Sequence, residues 1–191
     1  MSPKQNNQFS DTMGDVFDVF IPPTHDSTKW KNWLTSPYIL ACQDCKEFHG
    51  MIIPKYEKPN PEPPVHPKCR CRIKTLNATN AGQGTQDGEN GADWWLKYFK
   101  TLPDYYVTYS ELVNAGWKKG KSPNDFLPGK MATMGEYKNY NGHLPVAEGR
   151  TWQEADINYT DGKRNSCRVL WSNDGLIFVT YDHYKTFFEI V

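Results

Sequence analysis

Residues 91–191 predict an α+β fold in which N-terminal helices pack on a C-terminal antiparallel β-sheet, preceded by a small Cys-rich module. Three observations carry this. Ala92, Trp95, Leu96, Phe99 and Leu102 recur at helical spacing and stop at Pro103. Thr108-Tyr109-Ser110-Glu111 is a capping box that opens a second short helix, which Gly116 ends. From about Met131 onward β-formers dominate, and residues 149–159 and 164–171 read as two strands around Asp161-Gly162, a pair that supplies positive φ cheaply. Helices followed by a meander bury one sheet face under the first helix.

Taken in order, residues 1–25 read as a weakly ordered arm. Residues 1–10 are polar and the early apolar run is broken by Asp18 and ended by Pro22-Pro23, so neither a cleaved signal nor a membrane span is expected. Residues 26–77 form the Cys-rich module. Asp26 or Ser27 would cap a helix carrying Trp30, Trp33 and Leu34 on one face, closed by Pro37. Cys42 and Cys45 then precede a proline-rich loop, and Cys69 and Cys71 follow it. A segment with so little core needs a staple. Three readings stay open: a zinc site on Cys42, Cys45, Cys69 and Cys71, with His49 or His66 able to replace one ligand; two disulfides; or unlinked thiols.

Residues 78–90 are rich in Gly, Asn, Thr and Gln without periodicity and read as a flexible linker. In the domain over 91–191, a third short helix around 122–127 precedes Pro128-Gly129 and the sheet. Charge excludes a uniformly basic domain. The whole chain has 22 cations against 22 acids, and residues 91–191 hold nine Lys and three Arg against seven Asp and five Glu, so any nucleic-acid binding must use a local patch. Cys167 shares the core-side parity of Val169 and reads as a packed thiol, while His25 and His143 read as surface histidines.

The chemistry lies in the strand parity. Ala155, Ile157, Val169 and Trp171 fall on one face; Glu154, Asp156, Arg164 and Arg168 fall on the other. Such a face is either a solvated surface with cross-strand ion pairs or a site. The sequel favours a site: Asp174-Gly175 turns the chain into a third strand over 176–180, and Asp182-His183-Tyr184 ends it. A carboxylate, a histidine and two arginines are what metal-free cleavage of a phosphodiester by its own 2'-hydroxyl requires.

The run 149–159, with Arg164-Asn165-Ser166, Arg168, Asp182-His183-Tyr184 and, upstream, Leu102-Pro103-Asp104, Gly116-Trp117 and Pro128-Gly129-Lys130, resembles the barnase-like family of microbial ribonucleases. The resemblance implies that Glu154 is the general base, His183 the general acid, and Arg164 and Arg168 the transition-state clamps. It gives Asp156 and Arg150 structural roles, and places substrate contacts at Tyr109, Tyr137, Asn139, Tyr140, Asn141 and Tyr184. No cofactor is implied for catalysis. The implied substrate is single-stranded RNA, not DNA, and the implied partner a barstar-like inhibitor. Where the family has a lysine, this chain has Tyr109; where it has an arginine and a glutamate that read guanine, this chain has Tyr140 and Asn141. Asn139 is kept.

The Cys42 to Cys71 arrangement resembles the tail of phage Mu F-like minor head proteins, which implies a phage-derived segment carrying the enzyme as toxin cargo. Export would then follow a route without a signal peptide; otherwise the enzyme stays cytoplasmic and inhibited. The competing expectation is a head-associated structural or RNA-binding protein with an inactive ribonuclease-like domain. The presence of all four of Glu154, Arg164, Arg168 and His183 favours the enzyme.

Overall fold

The computed structural model describes residues 20–36, 38–159, 162 and 164–191. The strands are β1 (His25–Thr35), β2 (Ile52–Pro54), β3 (Cys71–Thr79), β4 (Tyr106–Thr108), β5 (Met131–Tyr137), β6 (Trp152–Asp156), β7 (Arg168–Ser172), β8 (Ile177–Thr180) and β9 (Phe188–Ile190). The helices are α1 (Gln43–Glu47), α2 (Ala92–Tyr98) and α3 (Tyr109–Asn114). All these strands join one sheet, ordered β2-β1-β3-β9-β8-β7-β6-β5-β4. The meander from β5 to β9 is antiparallel, as the alternation predicts, but β4 with β5 and β3 with β9 pair in parallel. The α+β sheet is therefore mixed. No helix among the described residues is long and apolar enough to cross a membrane.

Strand parity gives the sheet two differently covered faces. Ala155, Ile157, Val169 and Val179 are buried in one cluster with Ala92 and Leu96 of α2, and Trp171 packs against them. On the opposite face Trp152, Leu170 and Phe178 form a second core with Trp30, Ile52, Leu76 and Phe187. The Trp30 and Phe178 rings meet edge to face at 6.1 Å. The face that carries Glu154 and Arg168 is thus polar at one end and roofed by the N-terminal segment at the other.

The sequence expectations fail at four places in the fold. The helix over 26–36 is strand β1, paired with β2 on one edge and β3 on the other. Trp30 and Trp33 are three apart, which on a strand sends them to opposite faces. Trp30 meets the meander, and the fully buried Trp33 packs on Phe48 at 4.7 Å. Tertiary pairing overrides the helical spacing.

The segment over 78–90 is not a tether: β3 runs to Thr79 beside β9, and Ala81 N–H donates to the Val191 carbonyl. Its polar turn is stitched by the buried Asp93 carboxylate, which accepts from Gly82 N–H (2.7 Å), Gly84 N–H (2.9 Å) and Thr85 Oγ1 (2.8 Å). The module boundary at 77 disappears with the linker, because the sheet runs across it.

The β6 and β7 ladder ends at the Asp156 and Arg168 pair, short of the strand ends expected on either side of Asp161-Gly162. Asn165 Nδ2 donates to the carbonyls of Ile157 (3.0 Å) and Asn158 (2.9 Å), and Asn158 has φ 59°, which takes both strands out of register after Asp156. Asp161 lies outside the described residues, as do residues 1–19 of the expected arm.

His143, expected at the surface, is 8% exposed, because the N-terminal segment covers it. Its Nε2–H donates to the Glu47 carbonyl (2.7 Å), and its own carbonyl accepts from Ile52 N–H (2.8 Å). His25 is exposed and Cys167 packs against the α2-side core, as the sequence predicts.

Gly50 shows how closely the N-terminal segment fits. It sits at φ +89°, and a Cβ there would lie 2.0 Å from the Lys185 carbonyl oxygen. Gly50→Ala should lower stability by about 2 kcal/mol or more, the left-handed cost alone being about 1–2 kcal/mol. An unchanged urea midpoint would show that this backbone is not pressed against residue 185.

Candidate active site

Strand β6 delivers Glu154 and Asp156 to the same face, about 7 Å apart by the rise of a strand. They meet different surroundings. Glu154 is half-buried and its Oε2 accepts from the Tyr184 hydroxyl at 2.6 Å. Tyr184 stacks on Tyr137 (5.2 Å between centroids, 22° between planes), and the His183 ring meets Tyr184 edge-on at 4.7 Å. Burial first, and then the Glu154 carboxylate, push the Tyr184 phenol well above the ordinary tyrosine range. Burial and the Glu154 charge likewise raise Tyr137. Both phenols therefore stay neutral, Tyr184 as a fixed donor and Tyr137 as a stacking plane.

Asp156 is completely buried and holds both arginines. Arg164 bonds it in a fork, Nε to Oδ2 at 2.5 Å and Nη2 to Oδ1 at 2.8 Å, and this contact raises the guanidinium pKa still further. Arg168 Nε lies 2.9 Å from Asp156 Oδ1, an ion pair off the hydrogen-bonding direction, while its Nη1 donates to the carbonyls of Asn165 (2.8 Å) and Cys167 (2.6 Å). One carboxylate against two guanidiniums leaves one positive charge of excess beside Glu154. That charge is fixed in place, with Arg168 buried and only a fifth of the Arg164 side chain exposed, and it suits an anion better than mobile surface lysines would.

His183 is exposed at the end of β8, in a turn built by Asp182. The Asp182 carboxylate accepts from Thr180 Oγ1 (3.0 Å), Lys185 N–H (3.1 Å), Thr186 N–H (2.9 Å) and Thr186 Oγ1 (2.7 Å). His183 and Tyr184 both have positive φ, 58° and 67°, a costly pair of left-handed residues that this carboxylate and the His183 N–H bond to Ser166 (3.1 Å) hold in place. From this turn the Tyr184 hydroxyl reaches Glu154 and the His183 ring lies against Tyr184. Sequence reasoning missed the Asp182 role, although an aspartate that can bond its own downstream backbone is a turn signal.

The expected substrate contacts divide. Tyr137 and Tyr184 join the Glu154 group. Asn139, at φ 47°, uses both ends of its amide on Leu144, donating to its carbonyl (2.9 Å) and accepting from its N–H (3.0 Å), so it closes a loop. Asn141 Oδ1 accepts from His143 N–H at 3.3 Å within the same loop. Tyr140 stands at its tip, 92% exposed. Tyr109 opens α3 two strands from Glu154, half-exposed and edge-on to Trp117 at 5.8 Å. Arg150 lies outside the group: it forks onto Asp174 (Nε 3.0 Å, Nη2 2.7 Å), donates to the Pro145 carbonyl at 2.9 Å, and pins the loop before β6.

A base-capable carboxylate, an exposed histidine and two clamped guanidiniums share one end of one sheet. The family model for ribonucleases matches residues 97–191, which hold every one of these side chains. Ribonucleases of Bacillus intermedius and Bacillus pumilus are each 46% identical over 119 residues, covering 62% of this chain and 69% of theirs. A ribonuclease of Heyndrickxia coagulans is 46% identical over 100 residues, 52% of this chain and 91% of its own. The chain therefore belongs to the ribonuclease family.

Proposed function

We propose that this ribonuclease is an endoribonuclease that cuts single-stranded RNA by transesterification without a catalytic metal. The observation that carries this is the grouping of Glu154, Tyr184 and His183 beside Arg164 and Arg168 on Asp156. The Glu154 carboxylate takes the 2'-hydroxyl proton as O2' attacks phosphorus. The P–O5' bond breaks, His183 as imidazolium protonates O5', and a 2',3'-cyclic phosphate results. In the second step the roles reverse: His183 takes a proton from water and Glu154 returns one to O2'. Arg164 and Arg168 offset the charge that builds on the phosphoryl oxygens. DNA lacks the 2'-hydroxyl and is not a substrate.

Base selection follows from the loop over 138–143. With Asn139 committed to Leu144 and no carboxylate at Asn141, the exposed Tyr140 contributes stacking, worth roughly 1–3 kcal/mol per base and nearly blind to sequence. A relaxed guanine preference is expected, with a shallow salt dependence because Tyr109 and Tyr140 carry no charge. Mixed RNA incubated with the protein in EDTA at two salt concentrations should yield cyclic-phosphate ends after several bases. Ends bearing only a 5'-phosphate would defeat the mechanism, and cuts confined to G would defeat the base reading.

An active ribonuclease needs restraint in its producer, and an acidic inhibitor of the barstar kind would cover the excess positive charge at Arg164 and Arg168. Delivery as a phage-derived toxin cargo completes the reading and rests on the Cys42 to Cys71 resemblance alone.

A further inference from the structure

Five potential metal ligands outside the active site form two close groups joined at Cys45. Cys45 Sγ lies 3.0 Å from His66 Nε2 and 3.8 Å from Cys69 Sγ, and Cys42 Sγ lies 3.2 Å from the same His66 nitrogen. Cys45, Cys69 and Cys71 form a second close group that shares Cys45 with the first. A tetrahedral zinc with sulfur at about 2.3 Å and nitrogen at about 2.0 Å sets neighbouring ligands about 3.5–3.8 Å apart. A disulfide would consume two sulfurs and leave His66 aimed at them without a role.

The neighbours select the ligands. His66 Nδ1 lies 2.8 Å from the Pro67 carbonyl, which as acceptor fixes the tautomer whose Nε2 carries a free lone pair. Cys71 N–H points at Cys69 Sγ (3.5 Å), a bond that favours thiolate, whereas Cys71 Sγ is engaged with Thr35 Oγ1 at 3.1 Å. His49, the other histidine considered from sequence, accepts from Thr35 N–H through Nδ1 at 3.0 Å and packs on the Tyr38 ring. We propose that Cys42, Cys45, His66 and Cys69 bind one zinc ion, and that this staple buttresses two segments of the proposed active site.

The second half follows from what the stapled segment touches. Cys45 lies in α1, and Glu47 at the end of that helix accepts from His143, whose carbonyl is held by Ile52 N–H. His143 directly precedes Leu144, on which Asn139 closes the loop that carries Tyr140. Three residues beyond Glu47, Gly50 abuts the carbonyl of Lys185, two residues past His183. One short stretch of chain therefore braces the base-facing loop and the turn that presents the histidine. Calling these active-site segments rests on the proposed ribonuclease site; the metal and the bracing do not.

The test uses the full chain prepared with zinc. Elemental analysis should return about one zinc per chain, and cobalt substitution should give the intense visible absorption of a tetrahedral thiolate site. Cys69→Ser and His66→Ala should lose the metal at least about tenfold more readily to a chelator, while Cys71→Ser keeps it. Stripping zinc should speed hydrogen exchange at the amides of 141–144 and 183–187 by about tenfold or more, reversed by added zinc. No bound metal, or a Cys71→Ser loss equal to that of Cys69→Ser, overturns the ligand set. Unchanged exchange at those amides overturns the bracing. None of these readouts uses RNA cleavage, so they stand apart from any failure of the catalytic reading.

Discussion

Glu154→Gln and His183→Ala should each lower kcat on RNA by on the order of 10²–10⁴-fold, the usual worth of a positioned acid or base. Glutamine is the informative change at 154. Its carbonyl oxygen can still accept from Tyr184, so the Tyr137 and Tyr184 stack stays anchored while the proton acceptor is gone. Alanine at 183 keeps the turn, because Asp182 and Ser166 hold the backbone and not the ring.

The two losses separate by leaving group. A uridine 3'-phosphate ester with a nitrophenol leaving group needs no proton from His183, so His183→Ala should recover most of its rate there, whereas Glu154→Gln should not. Equal losses of both variants on the activated ester would remove the acid from His183.

Much of this site is legible in the sequence because its chemistry is local. The parity of Glu154, Asp156 and Arg168 and the position of His183 at a strand end follow from period two, and the structure keeps all of them. The loop position of Arg164 does not follow, since Asn165 ends the ladder through backbone carbonyls that leave no mark on hydrophobic pattern. The N-terminal segment is illegible for another reason. Trp30 and Trp33 are buried by two layers far apart in sequence, and a spacing of three fits a helix as well as it fits a strand buried on both faces. The same long-range packing hides His143 and turns a polar, linker-like stretch around Asp93 into ordered structure. Asn139 adds what the motif alone does not say: both ends of its amide bond Leu144 and close the loop.

Asp156→Ala should have the largest effect on the fold. The carboxylate has no solvent exposure, and it faces one guanidinium that is 6% exposed and another that is 20% exposed. Removing one partner of a buried pair costs about 3–5 kcal/mol, because the remaining charge is left desolvated. Here two charges lose the same partner. Arg164 can swing toward water, but Arg168 cannot, being tied to the Asn165 and Cys167 carbonyls. Against a total stability of about 5–15 kcal/mol this is a large fraction. Urea unfolding should show it with little dependence on salt, since the pair is shielded from the ionic atmosphere. Asp156→Asn divides the effect. The amide oxygen can keep one bond to Arg164 without the charge, so most of the stability loss should remain while part of the geometry returns. Turnover should fall by about 100-fold in Asp156→Ala from misplaced guanidiniums alone, measured well below its unfolding midpoint. A stability change under about 1 kcal/mol would mean that Arg168 is solvated and unpaired in solution, and the fixed positive charge beside Glu154 would then be lost as the basis for holding a phosphate there.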